Sequence, residues 1–185
     1  METLLKDADL IKLLEKIDWD LAEALRAESC RHCGAKLHCG DFTRKPRGVV
    51  VSWDKRHSFD CSRCRKRHTP PSVRFLGRKV YVGIVVVLVA AMMHGPKARR
   101  IATLNEALGI DARTLKRWRQ WWLDVFVQTP FWKANRARFM PTLDEAQMPY
   151  CLVASFHAQG REGVIKLMEF LSPITTTSGE RMVAM

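Results

Sequence analysis

Two Cys-x-x-Cys pairs, Cys30-Arg31-His32-Cys33 and Cys61-Ser62-Arg63-Cys64, constrain this chain more than any other feature. Each pair suits a tight turn, a knuckle, that aims two thiolates at one point. Two knuckles complete a tetrahedral four-sulfur shell for Zn2+. A shell closed by four protein ligands leaves no position for a substrate, so the metal it implies is structural. Disulfides and unrelated buried thiols are the competing readings. The first fits poorly, because the chain opens Met1-Glu2-Thr3-Leu4-Leu5-Lys6-Asp7, without the basic start, apolar run and cleavage site of a secretion signal. Thiols that are not exported stay reduced. Cys39 and Cys151 fall outside the pattern and read as small apolar residues. His38, Cys39, His57 and His68 lie near enough in sequence to stand in for one ligand, an alternative the spacing leaves open.

The formal net charge of +12 is unevenly placed. Residues 1–29 carry 4 basic and 8 acidic side chains, and residues 140–185 carry 3 and 5, so residues 30–139, with 24 and 6, hold all the excess. Basic charge concentrated between acidic flanks is the footprint of a polyanion binder. A membrane surface ranks below nucleic acid as that polyanion, since no lipidation motif and no isolated basic amphipathic helix is present. With 185 residues, 47% of them hydrophobic, the chain can build a core as one domain or two small modules.

Leu4, Leu5, Leu10, Ile11, Leu13, Leu14 and Ile17 recur at helical intervals and predict an amphipathic helix over residues 3–16. Asp18 is expected to cap a second short helix with Trp19, Leu21, Ala22 and Leu25 on its apolar face. Between the knuckles, Thr43-Arg44-Lys45-Pro46-Arg47-Gly48 reads as a turn and Val49 to Trp53 as a ribbon strand, with Phe59 in a partner strand. So few apolar residues need a metal to hold their sheet together. Val80 to Met93 is apolar but too short to span a membrane, and the stop at His94-Gly95-Pro96 favours a buried helix.

Ala98 to Leu108 reads as an apolar-faced helix, with Gly109 expected to end it, Ile110 to plug the turn and Asp111 to cap the next. From Ala112 onward, Leu115, Trp118, Trp122 and Val125 make a buried stripe, with Arg113, Lys116, Arg117 and Gln120 opposite and Trp121 partly outward. Helix, glycine turn and a helix basic on its outer face is the pattern of a helix-turn-helix, whose second helix enters the major groove. Arg113, Arg117 and Gln120 suit base edges, and Lys116 suits phosphate or guanine. Arg44, Lys45, Arg47, Arg65, Lys66 and Arg67 would anchor phosphates. Farther on, residues 133–139 read as a short basic helix and Thr142 with Glu145 as a capping box. A helix runs from Pro149 to Phe156, Arg161 to Leu171 is amphipathic, and Thr175 to Met185 is expected to lack structure.

Two Cys-x-x-Cys knuckles, Thr69-Pro70-Pro71, an apolar helix, Ala98-Arg99-Arg100-Ile101, and the run from Leu108 to Trp118 together resemble the front end of bacterial insertion-sequence transposases. The likeness covers residues 28–126. It implies a zinc ribbon and helix-turn-helix that bind an element's terminal repeats, in a cytoplasmic, nucleoid-associated protein. Two departures stand out. Cys33-Gly34 keeps the family's glycine, while Arg31 and Arg65 do not match its knuckles, and the chain stops about 60 residues after the helix-turn-helix, short of a nuclease domain of the usual ~100 residues or more. Asp144 and Glu145 sit where helix electrostatics alone would put acids. No Ser-His-Asp set, phosphate loop or open metal site is visible, so an enzyme is the less favoured reading.

The expected fold is mainly α with a small zinc-bound β-ribbon and a helix-turn-helix core. Its segments are 1–28 (acidic helices), 29–76 (zinc ribbon), 77–128 (helix-turn-helix), 129–174 (C-terminal helices) and 175–185 (tail). The expected function is a zinc-stabilised duplex DNA-binding protein of a mobile element, an accessory to transposition or a transcription regulator. Its metal ligands are Cys30, Cys33, Cys61 and Cys64, and the acidic ends would engage a recombinase, a transposase or a second copy of the chain. An RNA-binding component, a diverged transposase subunit and a pure adaptor are the alternatives.

Overall fold

The first helix ties two separate apolar clusters together. A computed structural model describes residues 7–43, 55–76, 83–92, 110–158 and 160–176. Helix α1 spans Ala8–Ala27 without a break, with the Asp7 side chain accepting from the N–H groups of Asp9 and Leu10 as its N-cap. The two helices expected on either side of Asp18 are therefore one. Asp18 lies in the buried stripe of α1, which runs Leu10, Ile11, Leu14, Asp18, Ala22, Leu25. Trp19, expected on an apolar face, is 57% exposed. Leu10, Ile11 and Leu14 join the large cluster, whereas Ala22 and Leu25 join the small one.

The small cluster gathers Ala22, Leu25, Cys30, Leu37, Phe59 and Cys61. Around it, strands β1 (Leu37–Cys39), β4 (Phe59–Cys61) and β5 (Arg67–His68) form an antiparallel sheet in the order β1-β4-β5. Leu37 pairs with Cys61 and Cys39 with Phe59, and Phe59 pairs with His68 on the other side. The strand of Phe59 thus enters the second knuckle, but between β1 and β5, not as the partner expected for Val49 to Trp53. A second ribbon pairs β2 (Phe42–Thr43) with β3 (Lys55–Arg56). The strand expected at Val49 to Trp53 lies outside the described residues, as do Arg44, Lys45 and Arg47.

The large cluster surrounds α2 (Gly83–Met92), in which every residue from Ile84 to Ala91 is buried. A helix apolar on all sides has to be central. Helix α3 (Ala112–Gln120) packs against it and continues as a π-helical turn, Trp121–Val125, and a 3-10 turn, Phe126–Gln128. The wide turn shifts the inward face. Leu115, Trp118 and Trp122 are buried as expected, but Phe126 rather than Val125 takes the next buried place. Trp121 is half-buried, its ring 4.8 Å from that of Trp122 and 5.7 Å from that of Phe126. The helix expected at Ala98 to Leu108, with Gly109, lies outside the described residues, so only the second half of the helix-turn-helix pattern is described.

Helices α4 (Pro130–Asn135), α5 (Tyr150–Ser155) and α6 (Arg161–Leu171) complete the body. The capping box expected at Thr142 does not form. Asp144 caps the turn Glu145–Gln147 by accepting from the Ala146 N–H, while Glu145 accepts from Trp132 Nε1 at 2.7 Å. Thr175, expected in the tail, is buried at the end of a 3-10 turn, and its hydroxyl oxygen accepts from the Ser72 N–H at 2.8 Å. Among the described residues no helix is long and apolar enough to cross a membrane.

Candidate metal centre

The sulfurs of Cys30, Cys33, Cys61 and Cys64 converge, all lying within 4.8 Å of one another. Backbone turns bring them there. The Gly34 N–H donates to the Cys30 carbonyl at 2.8 Å, and the Arg65 N–H donates to the Cys61 carbonyl at 3.2 Å, so each knuckle closes in the same way. Residues just beyond the second cysteine also match: Gly34 has φ 70° and Arg65 has φ 58°. The left-handed conformation is free for glycine and strained for arginine. The sequence departure at Arg65 is therefore a side chain placed at a glycine position. Arg65→Gly is expected to leave the fold intact and to change stability by less than about 1 kcal/mol, in the stabilising direction, because relief of strain outweighs the glycine's extra chain entropy. Thermal unfolding checks this, and a clear loss of stability would contradict it.

The sulfur spacing discriminates between the readings of the cysteines. Cys30 Sγ lies 3.6 Å from Cys64 Sγ, and Cys33 Sγ lies 3.4 Å from Cys61 Sγ. A disulfide needs about 2.05 Å. A tetrahedron with Zn–S bonds of about 2.3 Å has edges near 3.8 Å, so the four side chains fit a metal and not a pair of cross-links. Knuckle N–H groups point at the sulfurs as well: His32 N–H toward Cys30, and Arg63 and Cys64 N–H toward Cys61, each at 3.4 Å. The Cys64 N–H, helped by the Arg63 N–H and Cys33, lowers the Cys61 thiol to about 6. At Cys64 the Lys66 N–H pulls downward, but burial and the neighbouring thiols of Cys61, Cys30 and Cys33 outweigh it and raise the group to about 11. Thiolates crowded this closely repel one another, and a bound dication would relieve that repulsion.

Of the alternative ligands, only His68 comes near. Its Nε2 lies 3.3 Å from Cys30 Sγ, beside the four-sulfur set. Burial lowers its pKa, with the positive charges of His32, Arg31 and Lys66 acting in the same direction, so the ring is held neutral and can donate Nε2–H to sulfur. Cys39 and His38 are exposed on β1, and His57 Nδ1 pairs with Asp41 at 3.3 Å. Cys151 is half-buried near Asp144 and Met148, away from the cluster.

Basic side chains ring the second knuckle. Arg63, Arg65, Lys66 and Arg67 are exposed, although Arg67 is committed to Asp60 at 3.2 Å. Arg63 was not singled out from sequence, yet as a residue inside an exposed knuckle it could have been. On α3, Arg113, Lys116, Arg117, Arg119 and Gln120 are all exposed. The Asp111 carboxylate caps the helix by accepting from the Thr114 N–H at 2.8 Å and its hydroxyl at 2.9 Å, which holds its pKa below the ordinary carboxylate value. Thr114 Oγ1 in turn accepts from Arg117 at 3.3 Å. Gln120 is turned toward Asp124, which accepts from its side-chain amide.

No protein-family model, curated protein or solved structure matches this chain.

Proposed function

We propose that this chain is a zinc-stabilised duplex DNA-binding protein of a mobile genetic element, either a transposase-related accessory protein or a regulator. Cys30, Cys33, Cys61 and Cys64 would hold Zn2+, whose part is to fix the knuckles. The observation that carries the reading is the convergence of four sulfurs in a ribbon that exposes Arg63, Arg65 and Lys66. A second basic surface on α3 supports it, since Arg113, Lys116, Arg117 and Arg119 all face solvent from a helix whose opposite side is buried. A helix with that division can lie in a major groove while its core face stays on the body.

The two surfaces have separable jobs. Knuckle cations meet phosphates, which are alike in every sequence, whereas arginines of a recognition helix meet base edges. Arg117→Ala is expected to cost about 1–3 kcal/mol and to relax sequence preference, while Lys66→Ala weakens all sequences alike and flattens the salt dependence. Selection from random duplexes, followed by titration at fixed salt, reads both effects. If the two substitutions lowered binding to every sequence equally, base reading by α3 would be wrong. Competition among duplex DNA, single-stranded DNA and RNA separates this function from that of an RNA-binding component.

A further inference from the structure

Trp19 contributes little to either core. More than half of its surface is open, and it stands on the outer face of α1 beside a groove of about 490 Å3 between that helix and β3. The ring is nevertheless held in place. It meets the His57 ring in a T-shaped contact, 5.5 Å between centroids and 83° between planes. His57 is steadied by Asp41, which also accepts from the Ser58 N–H at 3.0 Å. An exposed indole that is braced this way is a platform and not a loose side chain.

Lysines surround the platform. Lys12 and Lys16 lie on α1 at positions that share a face with Trp19, and Lys55 faces them from β3. None of these three ammonium groups has an ion-pair partner among the described residues. Two carboxylates also line the groove, but Glu15 lies 3.9 Å from Arg74, which leaves Asp20 against three lysines. Arg74 also donates to the Lys55 carbonyl at 3.3 Å and is anchored by Asp18, so the groove floor is tied to the buried junction of the molecule.

We propose that this groove binds single-stranded nucleic acid, with one base stacked on Trp19 and adjacent phosphates met by Lys12, Lys16 and Lys55. An aromatic face flanked by cations is how unpaired strands are held, because a duplex hides the faces of its bases. The volume is within the range, about 300–1,000 Å3, of sites that enclose a small ligand, enough for one nucleotide. An apolar protein partner is the poorer match, since it would meet charged side chains on both walls. This site is separate from the duplex-reading role of α3 and does not depend on it.

The test uses the full chain purified with Zn2+ and fluorescence anisotropy at fixed salt. The probes are labelled oligothymidine and oligouridine of about 12 nucleotides, a length within the usual single-strand site size, and a duplex of the same length. Trp19→Ala is expected to weaken both single strands about tenfold and the duplex less than about twofold, with Trp19→Phe keeping most of the affinity. The pair Lys12→Ala with Lys16→Ala should weaken single-strand binding and lower its salt dependence. Trp19→Ala that binds oligothymidine like the unaltered chain would overturn the proposal, as would an unaltered chain that fails to bind either single strand. An equal loss on single strand and duplex would also overturn it. The failure of α3 to read duplex sequence would leave these outcomes unaffected.

Discussion

Asp18→Ala is expected to destabilise the protein by about 3–5 kcal/mol, as much as truncating a fully buried aromatic side chain. Asp18 is fully buried in the middle of α1 and accepts from three donors: the Ser72 hydroxyl at 2.6 Å, the Val73 N–H at 2.6 Å and Arg74 Nε at 2.8 Å. Arg74 is equally enclosed, its side chain only 2% exposed. Removing the carboxylate takes from the buried Arg74 guanidinium its closest acceptor, leaving it the Lys55 carbonyl and the more distant Glu15. It also takes from the Val73 N–H the acceptor held at 2.6 Å, a desolvation that burial makes costly. In a chain of this size the loss corresponds to a fall of roughly 6–20 °C in Tm. The pair Asp18→Leu with Arg74→Met should recover only part, since the Val73 N–H still lacks its acceptor. Urea unfolding of the single and double variants checks this, and a single-variant loss under about 1 kcal/mol would show that the junction is not structural.

This junction is where the two clusters meet. Above it α1 packs Leu10 and Leu14 into the helical body, and below it Ala22 and Leu25 into the cysteine module. The segment from Ser72 to Phe75 docks on the helix at that point, and Ser72 reaches the C-terminal end through Thr175. The orientation of the module relative to the body thus depends on polar contacts that lose their geometry together.

With Zn2+ held by the four cysteines as proposed, its loss is the second large effect expected. The small cluster contains six buried side chains, two of them cysteines, too little apolar area to order its short strands. Structural zinc binding contributes on the order of 10 kcal/mol to folding in such modules. Replacing Cys61 by Ser, or stripping the metal with a strong chelator, should therefore unfold residues 30–68 while the body around α2 keeps its helices. Hydrogen exchange resolves the two parts: amides of β1, β4 and β5 should lose protection and those of α2 and α3 should keep it. Acid should act in the same direction, because protons compete with the metal for sulfur and because His68, whose pKa is depressed, resists charging as pH falls below the ordinary histidine value.

Periodicity and spacing were sufficient wherever one local rule decided the outcome. The four-cysteine set needed only its spacing, α2 its unbroken apolar run, and α3 its Asp111 cap and buried stripe. Reading failed where a residue with a strong local preference was recruited by something distant. Asp18 looks like a cap because aspartate accepts from N–H groups, and so it does, but from Val73 across the fold rather than from its own helix. Glu145 likewise serves Trp132 and Arg136 instead of closing a box with Thr142. The π-turn after Gln120 follows no simple pattern in composition, and it moved one buried place from Val125 to Phe126. The Trp19 groove was invisible for the same reason: its Lys55 and His57 arrive from strand pairing, not from the helix that carries the tryptophan.

Metal analysis combined with X-ray absorption at the zinc edge tests the central claim most directly. One Zn2+ per chain in a shell of four sulfurs at about 2.3 Å is the expected result, falling to three sulfurs or to no metal when Cys33 becomes Ser. A purified, folded chain with substoichiometric zinc, or with a histidine nitrogen in place of one sulfur, would contradict it.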